Sequence, residues 1–580
     1  MRDLANRFQA HNWRAALHRL TLSHGRAVMV LAIISLCFFL PGQMSLQPMD
    51  RDEPRFAQAS KQMLETGDYI DIRFQAEARH KKPVGIYWLQ AGSVSLGKSL
   101  GVADAERQIW LYRLPSLLGA VAMVLLTYWA GLAFLSREGA MLAALMMAAS
   151  VLLGVEARLA KTDALLGAFS VASMGFLARA YLAMKAPGIA PALESRHLVM
   201  FWVVIGASVL LKGPITPFVA LLAILALAIR DRGARWVFRL RPLLGLLIVA
   251  LVVLPWFTMI LLEHGDGFIR ESLGKDMLAK VGSAQEKHGA PPGTYLGVFW
   301  VTFWPAAPLA VLALAFIWRE RRDDGVAFLL AWILPFWLVL EAVPTKLPHY
   351  VLPVYPAIAI LIMLAIERGG LVLSAALRWL SAVLLLLVPL VFLIGAPAIF
   401  LVLEEGLSIL RLPFFAFPFL ALAMLLGIGA AYWLVKSQPL RALVLGVAAS
   451  AVLTIAAYPF GMPMLKAINL SPRLADAARA TGCESPAFAT LGYREPSLVF
   501  LTDTTLMMGT AQETAEFMEK PGAGCRIAFV ERAFEAEFRN GLTGSSAPAL
   551  VTRVRGVNLN AALDKQRRLR VLDLAVYVRR

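Results

Sequence analysis

Runs of apolar residues about twenty long organise the chain, separated by short polar breaks that carry most of the charge. A helix needs about that many apolar residues to cross a bilayer. Such runs fall near 27–46, 108–132, 139–155, 163–185, 197–211, 214–229, 243–262, 294–318, 325–342, 351–366, 371–403, 413–435 and 440–460. The pattern predicts a polytopic α-helical membrane protein with about 13 transmembrane helices. One division decides the parity: Lys212-Gly213-Pro214 splits a long run, and without that break there are twelve spans.

The breaks alternate in character. Arg2, Arg7, Arg14, Arg19 and Arg26 precede the first run, and no small-residue cleavage pattern follows it. This predicts an uncleaved first span with a cytoplasmic N-terminus. Every second break is then short and basic: Arg137; Lys185 with Arg196; Arg230, Arg232, Arg235, Arg239 and Arg241; Arg319, Arg321 and Arg322; Arg368; Lys436 with Arg441. Cytoplasmic loops carry that bias. Residues 47–107, 156–162, 212, 263–293, 343–350, 404–412 and everything after 460 are thereby expected on the outer side of the membrane.

After residue 460 the period changes. Residues 486–491, 497–501, 526–530, 549–554 and 568–578 read as strands, with helices between them at 512–519 and 532–539. The chain thus divides into a transmembrane part, 1–460, and an α/β domain on the outer side, 461–580. Cys483 and Cys525 both lie in that domain, whereas Cys37 is alone in the first span. A Cys483–Cys525 disulfide is chemically permitted there, and two buried thiols are the alternative.

Composition narrows the class further. The chain is 59% apolar and 16% charged, far from the soluble average. The net charge of +17 is spread between apolar runs and forms no stripe, which excludes nucleic acid as partner. Three cysteines exclude a disulfide framework or a Cys-rich metal site.

Ionisable residues near membrane depth are costly, so clusters at the ends of spans are candidates for chemistry. Five of them share the outer side. The first is Asp50-Arg51-Asp52-Glu53-Pro54-Arg55, whose carboxylates suit cation binding, metal binding or general base work, or simply a solvated cap. An amphipathic helix over 56–67, with Phe56, Ser60, Met63 and Leu64 on one face, leads from it to Arg79-His80-Lys81-Lys82-Pro83 and Tyr87-Trp88. Clustered cations entering an aromatic pair suit a lipid phosphate, although aromatics alone also mark any membrane interface. The third cluster runs from Glu156 through Arg158 and Lys161 to Asp163, which opens a span and could serve only that helix N-terminus. The fourth is Lys212-Gly213-Pro214, and the fifth runs from Lys346-Leu347-Pro348-His349-Tyr350 through Pro353 to Pro356.

Taken in order, these motifs resemble the GT-C polyprenyl-phosphate glycosyltransferases, which include the protein O-mannosyltransferases and the bacterial lipid A aminoarabinose transferases. The stretch from Asp52-Glu53-Pro54-Arg55-Phe56 to Lys82-Pro83-Val84-Gly85-Ile86-Tyr87-Trp88 is most similar to the aminoarabinose branch. Thirteen spans followed by an α/β domain also fit it, although that domain carries no matching motif of its own. The resemblance implies a bacterial inner membrane, with its outer side the periplasm. Lys81 stands where a carboxylate is expected in that branch. The resemblance implies transfer of 4-amino-4-deoxy-L-arabinose from undecaprenyl phosphate to a phosphate of lipid A or a lipopolysaccharide precursor. Such transfer lowers the negative charge of the outer membrane and gives resistance to polymyxin and cationic peptides. Another sugar or acceptor, as in the protein O-mannosyltransferases, is the alternative. A lipid flippase is a further rival, but the charges sit at one interface and no internal repeat is detected.

The resemblance also distributes roles. Asp52 and Asp163 are the expected catalytic carboxylates, and Arg55, Lys82, Arg270, Lys346 and Tyr350 the expected ligands of the carrier phosphate. Glu53, Tyr87, Lys212 and His349 are expected to line the substrate site. Arg270 could equally be a solvated loop residue. No definite cofactor is implied, and Glu53 and His264, with Asp266 and His349, could meet around a divalent cation. Membrane lipids are the only other expected partner, for a monomeric protein.

Overall fold

The computed structural model describes residues 15, 17–49, 52–185, 194–265, 267–270, 289–403, 416–521, 524–543, 547–558 and 570–580. Asp50, Arg51, Asp266 and the loop 404–412 lie outside the described residues. Among the described residues, nine helices are long and apolar enough to cross a membrane. They are Ile109–Gly131, Asp163–Lys185, Ser195–Lys212, Pro242–His264, Asp324–Ala342, Pro348–Glu367, Ala375–Leu403, Phe417–Val435 and Pro439–Met464. The other four apolar runs are also helical but shorter or broken. His24–Phe39 and Ile215–Asp231 are single short helices. The run 139–155 divides into Arg137–Ala148 and Val151–Glu156, where the Ser150 side chain caps the second helix. The run 294–318 divides into Thr294–Thr302 and Ala307–Arg319 around Pro305, which has no N–H to continue a helix.

The break at Lys212-Gly213-Pro214 separates two helices. Ser195–Lys212 ends on Gly213, whose φ of +68° suits a residue without Cβ, and Ile215–Asp231 starts after Pro214. Small residues let the central helices approach closely. A Cβ on Gly119 would stand 2.7 Å from the Leu165 backbone nitrogen, so Ile109–Gly131 and Asp163–Lys185 touch backbone to backbone there.

The segment after the first helix forms a platform. It consists of the Asp52–Thr66 helix, a two-stranded hairpin of β1 (Arg73–Phe74) and β2 (Glu77–Ala78), and the Gly85–Ser99 helix. The first of these helices begins four residues before the expected 56, at Asp52, and is buried on more than the expected face. Phe56, Ser60 and Met63 are buried as the periodicity requires, but so are Gln58, Lys61 and Gln62.

The C-terminal domain covers that second face. Its sheet comprises β3 (Ala487–Leu491), β4 (Met507–Met508), β5 (Arg526–Glu531), β6 (Ala549–Val557) and β7 (Val571–Arg579) in the order β4-β3-β5-β7-β6. β3 runs parallel to β4 and β5, and β7 antiparallel to β5 and β6. Residues 497–501, expected as a strand, instead form the helix Pro496–Leu501, with proline in its first turn. Its Phe500 is fully buried among Ala57, Val94, Ile109, Tyr112 and Ala160 of the platform and the adjoining span. Gln58 Nε2 donates to Thr504 Oγ1 at 2.7 Å, and Gln75 Nε2 to the Thr504 and Leu506 carbonyls at 3.0 and 2.8 Å. Burial pushes the Lys61 ammonium below the ordinary lysine value, while its nitrogen reaches the Phe500 carbonyl.

Cys483 and Cys525 are disulfide-bonded, with Cα atoms 5.9 Å apart and a sequence separation of 42. Closing a loop of that length restricts the unfolded chain by roughly 2–4 kcal/mol. Cys483→Ser with Cys525→Ser is expected to lower the unfolding midpoint of the C-terminal domain and leave transport of the chain into the membrane unchanged. Limited proteolysis with and without reductant reads this, and equal protection in both conditions would refute it.

Candidate active site

Five element ends converge where the platform meets the spans. Asp52 opens the first platform helix, Glu156 ends Val151–Glu156, Asp163 opens Asp163–Lys185, and Lys212 ends Ser195–Lys212. His349 lies in the Pro348–Val354 stretch, which prolines hold in a tighter 3₁₀ turn. Carboxylates at helix starts and a lysine at a helix end also complement the helix dipoles, so the capping and site readings of Asp163 coexist.

The side chains close a ring of alternating charge. Lys212 Nζ forms a short ion pair with Asp163 Oδ1. Lys161 Nζ lies 3.9 Å from Asp163 Oδ2 and 3.3 Å from Glu156 Oε2. His349 completes it, with Nδ1 3.6 Å from Glu156 and Nε2 3.6 Å from Asp163. The ring is almost out of contact with solvent: the Asp163 side chain is 5% exposed. Asp52, by contrast, is exposed. Tyr350 packs edge-on against His349, and the Lys212 ammonium lies 5.6 Å from the Tyr350 ring centre.

Glu53 has a different duty from Asp52. It points inward to Arg113, a fully buried arginine within the Ile109–Gly131 span. Arg113 Nε donates to Glu53 Oε1 at 2.7 Å and Nη2 to Oε2 at 3.0 Å. The same carboxylate accepts from the Met49 and Ala160 backbone N–H groups. The remaining Arg113 protons serve the Gln43, Leu46 and Gln47 carbonyls. Glu53 is therefore a structural anchor for the platform, with both carboxylate oxygens taken up by Arg113 and backbone N–H groups, against the expectation of a substrate or metal ligand.

Two more expected site residues are taken up in the fold. Tyr87 is fully buried and stacks on Phe56, so it packs the platform rather than facing a substrate. Lys346 is buried and donates to the Leu340, Glu341 and Val343 carbonyls at 3.3, 2.8 and 2.5 Å, capping the Asp324–Ala342 helix instead of reaching a phosphate. Arg158 likewise serves the Pro41 and Gly154 carbonyls and stacks on Tyr458. Arg55 and Lys82 are half-buried on the platform, and Arg270 is exposed just beyond the Pro242–His264 helix.

His264 meets other partners than those expected. It lies 3.2 Å from Asp71, which shares a 2.8 Å hydrogen bond with His80. One donor atom from each of the three residues lies within 4.8 Å of the others. Burial alone would raise the Asp71 carboxyl, but hydrogen bonds from His80 and Arg73 and the nearby His264 outweigh it and hold it below the ordinary carboxylate value. Two imidazoles and a carboxylate are suitable donors for a divalent cation such as zinc. The Glu156–Asp163–His349 group is less suited, because Lys161 already pairs with both carboxylates and Lys212 with Asp163. Glu53 belongs to neither set.

Sequence reasoning placed Lys161 in the third cluster without giving it a role, and it passed over Arg113 and the pairing of Asp71 with His80. A signal existed for Arg113, since a lone arginine in an apolar run demands a partner.

The family model described as dolichyl-phosphate-mannose-protein mannosyltransferase matches residues 26–264. Over 376 residues the chain is 28% identical to the undecaprenyl phosphate-alpha-4-amino-4-deoxy-L-arabinose arabinosyl transferase of Edwardsiella ictaluri, covering 62% of this chain and 65% of that protein. The enzyme of the same description from Yersinia pestis is 26% identical over 347 residues, 59% of each chain. The chain thus spans somewhat under two thirds of the length of these curated relatives. The crystal structure of ArnT from Cupriavidus metallidurans bound to undecaprenyl phosphate superposes with a TM-score of 0.73 at 16% identity, covering 95% of this chain and 98% of that one. The apo ArnT structure gives 0.69 at 16% identity, with 98% of each chain covered. The chain is accordingly a GT-C-type polytopic helical membrane protein with a C-terminal sheet domain, similar in fold to ArnT and in sequence to the aminoarabinose transferases.

Proposed function

We propose that this protein is a glycosyltransferase that moves 4-amino-4-deoxy-L-arabinose from undecaprenyl phosphate to a phosphate of lipid A, at the periplasmic face of the inner membrane. The observation that carries the reading is the convergence of Asp52 with the charged ring at the mouth of the spans, in a chain whose relatives bear that activity in their names. Basic inner loops and a disulfide in the C-terminal domain support an orientation with that face outside the cytoplasm. Modification of lipid A in this way lowers the negative charge of the outer membrane, with polymyxin resistance as its consequence.

The leaving group is a lipid phosphate, so charge builds on its oxygen as the sugar C1–O bond breaks. Lys82 and Arg270 are the proposed cations for it, with Arg55 as a third. An acceptor phosphate is already largely ionised at neutral pH, its second pKa being near 6. No strong base is then needed, and Asp52 recognises the cationic amino group of the sugar or orients the acceptor. With a hydroxyl acceptor Asp52 would instead have to take a proton.

The deciding measurement is the mass of lipid A from cells with and without the protein. An aminoarabinose increment that depends on it supports the reading, and an unchanged lipid A mass overturns it. In a purified transfer assay Lys82→Ala is expected to lose ~10- to 100-fold, the equivalent of roughly 1.5–3 kcal/mol for a charge-assisted hydrogen bond. Lys82→Arg keeps the charge and is expected to retain more activity. Normal turnover by Lys82→Ala would remove Lys82 from the carrier site.

A further inference from the structure

The helix Asp163–Lys185 connects the two faces of the membrane part. Its first residue belongs to the charged ring, and its last, Lys185, pairs with Asp231 at 3.0 Å. Its 23 residues, at 1.5 Å each, span about 34 Å, close to the hydrocarbon thickness of about 30 Å. The chain around Asp231 therefore stands at the membrane surface opposite the candidate active site. It is firmly seated there. Ile215–Asp231 ends at Arg232, and a 3₁₀ stretch, Arg235–Leu240, leads into Pro242–His264. Trp236 and Leu240 of that stretch are buried. Trp236 meets the Tyr181 ring edge-on at 5.5 Å, and Trp202 Nε1 donates to the Leu240 carbonyl at 2.7 Å. What the stretch leaves outside is Arg235, Phe238 and Arg239, with Phe238 75% exposed. Arg232 and Arg241 flank it, both exposed and both at a left-handed φ, +52° and +50°, that favours glycine.

A second basic loop is bonded to the first. Arg230 Nη1 donates to Tyr181 Oη at 2.6 Å and to Asp324 Oδ1 at 2.7 Å, and its Nη2 donates to the Arg322 carbonyl at 2.6 Å, 92 residues away in sequence. Arg319, Arg321 and Arg322 of that loop are exposed, as is Trp318, on which the Arg321 guanidinium stacks at 4.3 Å. The acids nearby are already taken: Asp231 by Lys185 and Tyr181, Asp324 by Arg230, and Asp323 by Arg368. Among the described residues no carboxylate pairs with the exposed arginines of either loop, and Glu320 is the one acid left to set against them. A topological bias asks only for cations on this side, in any arrangement. It does not ask that two distant loops be bonded into one patch, nor that Phe238 and Trp318 stand exposed among the charges. An anionic phospholipid answers both features: its phosphodiester accepts from guanidinium groups, and its acyl chains receive the apolar side chains at the headgroup boundary.

We propose that the paired loops 232–241 and 319–322 form a docking surface for anionic phospholipid headgroups, on the membrane face opposite the candidate active site. The surface is separate from the charged ring, and its occupancy does not depend on which sugar is transferred or to what acceptor.

The test titrates the full-length protein in detergent with phosphatidylglycerol or with phosphatidylethanolamine of the same acyl chains, and counts bound lipids by native mass spectrometry. Wild type is expected to retain phosphatidylglycerol in clear preference to the zwitterionic lipid. Arg235→Gln with Arg239→Gln is expected to weaken that retention by about 5-fold for each arginine removed. Arg235→Lys with Arg239→Lys keeps the charge and is expected to stay within about 2-fold of wild type. Arg479→Gln with Arg494→Gln takes the same charge from exposed positions of the C-terminal domain and is expected to change nothing. Equal retention of the two lipids by wild type overturns the proposal, and that comparison decides it even where a variant fails to fold. Unchanged retention in the Arg235/Arg239 glutamine pair overturns the location. A loss as large in the Arg479/Arg494 pair would mean that net charge alone acts, and overturns it as well.

Discussion

Glu53→Gln is expected to destabilise the whole membrane part by about 3–5 kcal/mol, the usual consequence of removing one member of a buried ion pair. Arg113 is fully buried, and Glu53 supplies its only carboxylate among the described residues. The neutral amide keeps the volume and some hydrogen bonds but leaves the guanidinium charge uncompensated. It must also turn an NH₂ toward one of the donors that the carboxylate now accepts, at Met49, Ala160 or Arg113. The expected readout is a large fall in the thermal midpoint in detergent. Glu77→Gln on the platform hairpin, at an exposed position, is expected to change it little. Removing both charges, by Glu53→Leu with Arg113→Met, should recover part of the loss, because no buried charge is then left alone. Recovery will be incomplete, since the Gln43, Leu46 and Gln47 carbonyls lose their donor. A Glu53→Gln protein as stable as wild type, with transfer specifically lost, would return Glu53 to the substrate site.

That contrast between Glu53 and Asp52 marks the limit of what the sequence discloses. Two adjacent carboxylates look alike in a string of letters. Only the position of Arg113, sixty residues away in a span, decides which one turns inward. The spans were legible because bilayer thickness imposes a length that few other structures share. The break at Lys212-Gly213-Pro214 was legible because glycine and proline end helices by their own stereochemistry. Residues 497–501 were not, since a five-residue apolar run has no period to separate strand from helix. The proline at 496 was the available signal, and packing of Phe500 into the platform settled the matter. Asp71, His80 and His264 come together from positions 193 residues apart at the extremes, and no local pattern encodes such a meeting. The five outer clusters were visible as clusters, but their internal division of labour was not. Lys346 and Arg158 spend their donors on backbone carbonyls, which composition alone cannot reveal.

Asp52→Asn is expected to leave the protein folded and reduce transfer by about 100-fold or more, in the range that positioned acid–base and charge-recognition groups supply. The carboxylate is exposed at the first turn of its helix, where a neutral amide of the same shape is readily accommodated. Asp163→Asn provides the comparison that gives this result meaning. Asp163 is buried, and it is bonded to Lys212 and faced by Lys161 and His349. Its neutralisation leaves an excess of positive charge in the ring, so stability and activity should fall together. The two variants therefore separate a group that meets substrate from a group that holds the site in shape. Thermal midpoint and transfer rate are measured on the same purified samples. For Asp52→Asn the expected outcome is an unchanged midpoint with lost turnover; for Asp163→Asn it is a loss of both. Restoring turnover in Asp52→Asn by raising pH would be inconsistent with the mechanism, because the amide has no proton to lose. Near-normal transfer by folded Asp52→Asn would remove that carboxylate from the reaction.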